Sequence, residues 1–280
     1  MSKTAVLSAF RHIAIVGDAV GIPSLIRHVP RENVACLVAA SLRPQYLDEL
    51  GIVARRIGCP LLVQAPAKRL AESQAFLEEF RGMSCNSLLC YSYSMKIPSA
   101  ILEAVGGNAV NIHAALLPKN RGPNPIQWAL IKGERQTGVT AHQMVEGIDA
   151  GPIVGQVPVE ISFEDTWVSL RDKITSVTET MLGSLIPRLV AGNVVCIPQD
   201  ESQATINHRL TPDYPRIDFA RMSDLDVYNL IRAQVSPLRG AFLEERGERQ
   251  YFQSFVPYEK IRAIRALHAG QDHRGNVQPL

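Results

Sequence analysis

Long apolar runs, cysteine pairs and the common nucleotide or nucleophile loops are all missing from this chain. No hydrophobic stretch approaches the ~18 residues needed to cross a bilayer, so no transmembrane helix and no membrane partner are expected. No continuous apolar segment with a cleavage site stands near Met1, so no secretory signal is read and a cytoplasmic location is expected. No Gly-x-Ser-x-Gly elbow marks a serine hydrolase. Gly17-Asp18 is followed by Gly21 rather than by Gly-x-Gly-x-x-Gly, which argues against a nicotinamide dinucleotide. The cysteines at 36, 59, 85, 90 and 196 contain no Cys-x-x-Cys; Cys36 and Cys90 sit in apolar runs and read as buried free thiols in a reducing compartment. His113 and His142 have no partner at a usual ligand spacing, so no metal is expected. Charge of one sign is also scarce: the net +2 does not point to nucleic acid or an anionic surface as partner. Repeats and low-complexity segments are absent.

What is present is ordinary globular material. The 280 residues, 46% hydrophobic and 20% charged, suit one large domain or a large and a small one. Residues 12–16, 34–40, 61–63, 87–91 and 109–112 are short apolar runs that read as strands. Between them lie helical patterns at 22–28, 44–57, 68–80 and 98–105, the third with Leu70, Ala71, Phe76, Leu77 and Phe80 inward and the last begun by Pro98. This alternation predicts an α/β fold, a Rossmann-like and mostly parallel sheet with flanking helices. Ligands in such sheets bind beyond the carboxyl ends of the strands, which is where Asn111 and His113 fall.

The later half changes texture. Residues 138–145 and 153–161 look extended, and 165–190 read as one long helix with Leu170, Ile174, Val177, Met181, Leu185 and Leu189 on one face. A short helix at 227–233 and a hairpin turning at Arg246-Gly247-Glu248 follow. A soft boundary near residue 200 divides a catalytic domain, 1–200, from a small C-terminal subdomain, 201–280, expected to serve dimerisation or acceptor binding. The polar tail from about Gln271 is expected to fray.

Residues 111–151 carry the chemistry. They contain Asn111-Ile-His113, Leu116-Leu-Pro-Lys-Asn-Arg-Gly122, Trp128, Thr137-Gly-Val-Thr-Ala-His142 and Ile148-Asp-Ala-Gly-Pro-Ile153. An amide, an imidazole and a carboxylate set among rigid turns suit acyl transfer to an amine, which needs an oxyanion donor, a proton carrier and a group that orients the carrier. Asn111 and His113, two apart on an extended run, project to one side. These four linked motifs resemble the N10-formyltetrahydrofolate-dependent formyltransferases, a family that includes methionyl-tRNA, glycinamide ribonucleotide and sugar-nucleotide N-formyltransferases. The resemblance implies the formyltransferase fold, N10-formyltetrahydrofolate as formyl donor, and Asn111, His113 and Asp149 as the catalytic residues. It further implies a donor site built from Met95, Lys96 and Ile97, from Leu117, Pro118, Arg121 and Gly122 of the proline-rich loop, and from Thr140, His142 and Asp149. Two of these keep a second reading: Arg121 as a surface salt-bridge former, and His142 as a support for the others. Trp128 reads as core packing under the loop.

Residues 209–242 resemble the tail of sugar-nucleotide members, with Thr211-Pro-Asp-Tyr214, Arg216-Ile-Asp-Phe219, Tyr228-Asn-Leu-Ile-Arg-Ala233 and Arg239-Gly-Ala-Phe242. A nucleotide-linked amino sugar is therefore the expected acceptor. A small amine, such as an amino acid or hydroxyornithine, and methionyl-tRNA are the alternatives. Arg residues alternating with Glu244, Glu245, Glu248 and Glu259 weigh against tRNA, so nucleic acid is not expected. A non-catalytic folate- or nucleotide-binding module is the rival class. The Phe252–Phe255 edge of the hairpin suggests a homodimer.

Overall fold

The computed structural model describes residues 5–245 and 247–272. The elements run β1 (Ala5–Leu7), β2 (Ile13–Gly17), α1 (Gly21–Ile26), β3 (Val34–Ala40), α2 (Leu47–Ile57), β4 (Leu61–Gln64), α3 (Leu70–Gly82), β5 (Ser87–Tyr91), α4 (Ser99–Ala104) and β6 (Ala109–His113). They continue as α5 (Pro125–Ile131), β7 (Gln136–Gln143), β8 (Ile153–Glu160), α6 (Trp167–Ala191), β9 (Val194–Cys196), α7 (Asp224–Arg232), β10 (Ala241–Glu245), β11 (Glu248–Phe252) and α8 (Tyr258–Asp272).

Seven strands form one sheet in the order β4-β3-β2-β5-β6-β7-β8. The first five of that order pair in parallel, and β7 returns antiparallel to β6. The expected fold class is the one observed. Strands β2 and β5 are buried at every residue, as strands covered on both faces must be. One core cluster gathers Val16, Val38, Leu62, Phe76, Phe80, Leu88 and Ile101 on the helix-covered sheet. Leu70 and Ala71 depart from their inward reading: they open α3 and both are exposed, Leu70 by 73%, because the inward stripe of the helix begins only at Phe76. Pro98 takes the N-cap position of α4 rather than a place inside it. Strands β1 and β9, three residues each, pair with one another and were not legible as periodic runs.

The chain divides into two units, neither contiguous in sequence. One holds residues 1–121, 138–158 and 176–205; the other holds 122–137, 159–175 and 206–280. The second unit has its own core of Ile217, Val227, Tyr228, Leu230, Ile231, Ala241, Leu243 and Ile261. Helix α7 starts from a reciprocal cap, Ser223 with Asp226, which satisfies otherwise orphaned backbone donors. Strands β10 and β11 form the expected hairpin. Helix α8 was not anticipated; its apolar residues are too sparse to give a clear stripe, and among the residues whose burial is described only Ile261 is fully buried. The expected fray meets this helix at its first two residues; beyond them, residues 273–280 lie outside the described residues, as does Arg246 of the hairpin turn. Among the described residues no helix is long and apolar enough to cross a membrane. All five cysteines are free, four of them buried and Cys59 partly so.

Candidate active site

Pairing of β6 with β7 builds the site. Asn111 lies directly opposite His142 in this ladder, and His113 opposite Thr140. Directly opposite residues of an antiparallel pair share a face, as do residues two apart along one strand, so Asn111, His113 and His142 come to one side. The third part arrives from the loop after β7. Asp149, at φ 48°, turns there in the left-handed region, which Asp tolerates better than most residues. Gly151 closes the loop: a Cβ there would stand 1.8 Å from the carbonyl oxygen of Gln143, so no side chain fits.

The Asp149 carboxylate bridges two imidazoles. Its Oδ2 is 3.6 Å from Nδ1 of His113, and its Oδ1 is 3.3 Å from Nε2 of His142. The Asn111 amide nitrogen is 3.1 Å from His142 Nε2 and 3.5 Å from Asp149 Oδ1. His142 Nδ1 donates to the Gln143 carbonyl at 3.0 Å, which makes Nε2 of the neutral ring an acceptor for the Asn111 amide. His113 Nε2 donates to the Asn120 carbonyl at 2.8 Å, so the lone pair of its neutral ring sits on Nδ1, facing the carboxylate. Burial pushes the His113 pKa below its ordinary value and His142 adds to this, while Asp149 and the Asn120 carbonyl oppose it. The net result is a neutral base at pH 7 beside a carboxylate that stabilises its protonated form. Among the described residues no group of three or more His, Cys, Asp or Glu is arranged to hold a metal ion.

The loop after His113 is clamped from a distant part of the chain. The Thr205 hydroxyl accepts from Asn120 N, its carbonyl accepts from Arg121 N, and its own N–H donates to the Pro118 carbonyl. Asn120, itself at φ 59°, is thereby held where its carbonyl meets His113. Sequence reasoning missed Thr205, the Asn120 carbonyl and Gln199. Their contacts span up to 85 residues and run largely through backbone, so no motif announces them.

Three residues expected to bind the donor do other work. The Thr140 hydroxyl is fully buried and fully used: it donates to the Ala115 carbonyl and accepts from Leu117 N and Gln156 Nε2. It holds the Leu117 turn and has no capacity left for a ligand. Arg121 forms an ion pair, but not at the surface as its second reading has it: 4% exposed, it donates to both carboxylate oxygens of Glu201 and to Gln199. Gly122 is required by packing, since a Cβ there would lie 2.7 Å from the Asn207 carbonyl oxygen at φ 90°. Trp128 is buried, its ring edge-on to His208 and Tyr214.

The remaining donor-site candidates are held as follows. Ile97 and Leu117 are buried apolar residues. The Lys96 carbonyl is held by Gln64 Nε2 at 3.0 Å, and Tyr93 donates to the same Gln64 side chain at 2.9 Å, which fixes the backbone of the 95–97 segment. The Lys96 side chain itself is exposed.

A family model described as formyl transferase matches residues 33–186, which take in the sheet from β3 to β8 and all four motifs. A phosphoribosylglycinamide formyltransferase from Bacillus halodurans is 25% identical over 62% of this chain and 93% of its own, with a TM-score of 0.55. A 4-N formyltransferase from Francisella tularensis is 17% identical over 89% of this chain and 98% of its own, with a TM-score of 0.72. A sugar 3N-formyltransferase, WlaRD, solved in the presence of dTDP and 5-N-formyl-THF, is 17% identical over 86% of this chain and 84% of its own, with a TM-score of 0.62. With that match running through more than half of its length, this chain belongs to the formyl transferase family and is an enzyme that transfers formyl groups.

Proposed function

We propose that this enzyme transfers the formyl group of N10-formyltetrahydrofolate to the amine of a nucleotide-linked amino sugar. One observation carries the chemistry: Asn111, His113 and Asp149 meet on one face, with Asp149 3.6 Å from the basic nitrogen of His113. The choice of acceptor is supported by the 89% of the chain that follows the fold of a 4-N formyltransferase, against the 62% that follows the ribonucleotide enzyme. Residues 201–280 are assigned to acceptor binding or to pairing with a second copy, and the protein to the cytoplasm.

When bound, the donor supplies the formyl carbon and the nitrogen that leaves. As the neutral amine attacks, the formyl oxygen gains negative charge, and the second N–H of Asn111 leaves its long contact with Asp149 Oδ1 and donates to it. Such a donor is worth about 3–4 kcal/mol in the transition state. His113 Nδ1 takes the proton that the amine loses, and Asp149 Oδ2 stabilises the imidazolium. The same proton then passes to the leaving nitrogen, so the imidazole returns neutral. His142 holds one N–H of Asn111 and so aims the other.

Purified protein supplied with N10-formyltetrahydrofolate and a panel of nucleotide-linked 4-amino sugars is expected to give formylated product by mass spectrometry. Product only with hydroxyornithine, an amino acid or methionyl-tRNA moves the acceptor to that class. Equal, negligible rates for the wild type and His113→Ala with every acceptor would leave a non-catalytic binding module.

A further inference from the structure

The Gln199 side chain spends its whole hydrogen-bonding capacity in one small network. Its Nε2 donates to the carbonyls of Asp149 and Gly151, at 2.8 and 2.7 Å. Its Oε1 accepts from Nε and Nη2 of Arg121, at 3.1 and 2.8 Å. A guanidinium can only donate, so it fixes which end of the amide faces which way. Glu201 binds the far edge of the same guanidinium at 2.7 Å. The segment gripped by Gln199 is the one that must hold Asp149 at φ 48°, a conformation that persists only where its surroundings enforce it. That segment also sets how the carboxylate is placed between His113 and His142.

We infer that Gln199 is a positioning residue: its amide, oriented by Arg121, holds the backbone of Asp149 and thereby the carboxylate that serves the two imidazoles. It acts through Asp149, and its importance to turnover rests on the functional reading of Asn111, His113 and Asp149 given above.

Two substitutions test this. Gln199→Met keeps the length and removes every hydrogen bond. Gln199→Glu keeps the pairing with Arg121 but turns a carboxylate oxygen toward two carbonyls. Both are expected to lower kcat by about ten- to a hundredfold, since small misplacements of a reacting group have effects of that size. KM for donor and acceptor should stay within about threefold, because no ligand contact is removed. In an Asp149→Asn background the same substitutions should cost less than about threefold, as residues acting as one unit are not additive. Fully additive losses would overturn the inference, as would a kcat in Gln199→Met equal to that of wild type. A second readout needs no turnover. Asp149 and the Asn120 carbonyl raise the His113 pKa while burial and His142 lower it, so a displaced carboxylate should move the NMR titration midpoint of His113 to lower pH. An unchanged midpoint in whichever variant folds would also overturn it. If the wild type transfers no formyl group, the functional reading fails, and the His113 titration alone decides the role of Gln199.

Discussion

Nδ2 of Asn111 lies 3.1 Å from Nε2 of His142, its cross-strand neighbour on β7. An amide at a strand end would otherwise rotate freely between its two polar ends, and only one end can stabilise an oxyanion. The imidazole removes that freedom, because its Nδ1 already donates to the Gln143 carbonyl, which in the neutral ring leaves Nε2 to accept from Asn111. Asn111→Ala is therefore expected to lower kcat by about 100- to 1,000-fold with little change in KM. His142→Ala should cost less, about tenfold, because the donor survives but loses its orientation. Steady-state kinetics on both variants check the order; a His142→Ala defect confined to KM would refute the orienting role.

Proton transfer should show in the pH profile. Burial holds the His113 pKa below the ordinary 6.5, and the active form is the neutral base. Activity is then lost as pH falls through the lowered value, so a break from this base is expected below 6.5 in kcat/KM, distinct from the rise at higher pH that follows deprotonation of the acceptor amine. Asp149→Asn removes an influence that raises this pKa, so the limb of its residual activity should move further down. An enzyme limb above 6.5 that keeps its position when the acceptor is replaced by one of different amine pKa would contradict a neutral, buried base.

Much of this was legible in the residues, and the failures have physical causes. The five parallel strands are continuous apolar runs bounded by Gly, Pro or polar residues, and a sheet covered on both faces leaves that trace in any sequence. Asn111 and His113 could be placed on one side because strand periodicity alone decides it, whereas His142 joins them only through the register of β7 on β6. Periodicity says nothing of what a loop residue meets. Gln199 and Thr205 act on backbone 50 and 85 residues away, and the Asn120 carbonyl acts through main chain that every residue possesses. Thr140 and Arg121 were assigned to the ligand from motif alone; burial spent their polar groups on the protein instead. Helix α8 escaped because a helix with few buried residues leaves only a faint stripe.

Thr140 offers a test of how firmly the Leu117 turn is held. Its hydroxyl serves three partners, the buried Ala115 carbonyl and Leu117 N–H and the Gln156 amide, and valine has the same shape with none of that capacity. Thr140→Val should leave the Ala115 carbonyl and the Leu117 N–H without their partner, at a cost of about 2–4 kcal/mol and a fall in Tm of roughly 5–15 °C. Thermal unfolding followed by circular dichroism measures it. A Tm within about 1 °C of wild type would mean that the hydroxyl is dispensable.

Glu179 on α6 sets the behaviour in acid. It accepts from the Ser24 hydroxyl at 2.6 Å and pairs with His28 at 2.8 Å and with Arg27. Burial alone would raise its pKa, but Arg27, Ser24 and His28 outweigh burial and hold the carboxyl down to about 2, against an ordinary 4.5. A folded-state pKa below the unfolded one means that the folded protein resists protonation there. The stabilisation is therefore complete above 4.5 and lost as pH falls from 4.5 toward 2. The Arg27 side chain is 56% exposed, so solvent screening limits the contribution to about 1–3 kcal/mol. Urea unfolding should show Glu179→Gln less stable than wild type by that amount at pH 7, with the gap closing below pH 4.5 as the wild-type carboxylate is protonated. A gap that stays constant across this range would mean that the shape of the side chain, and not its charge, holds α1 to α6.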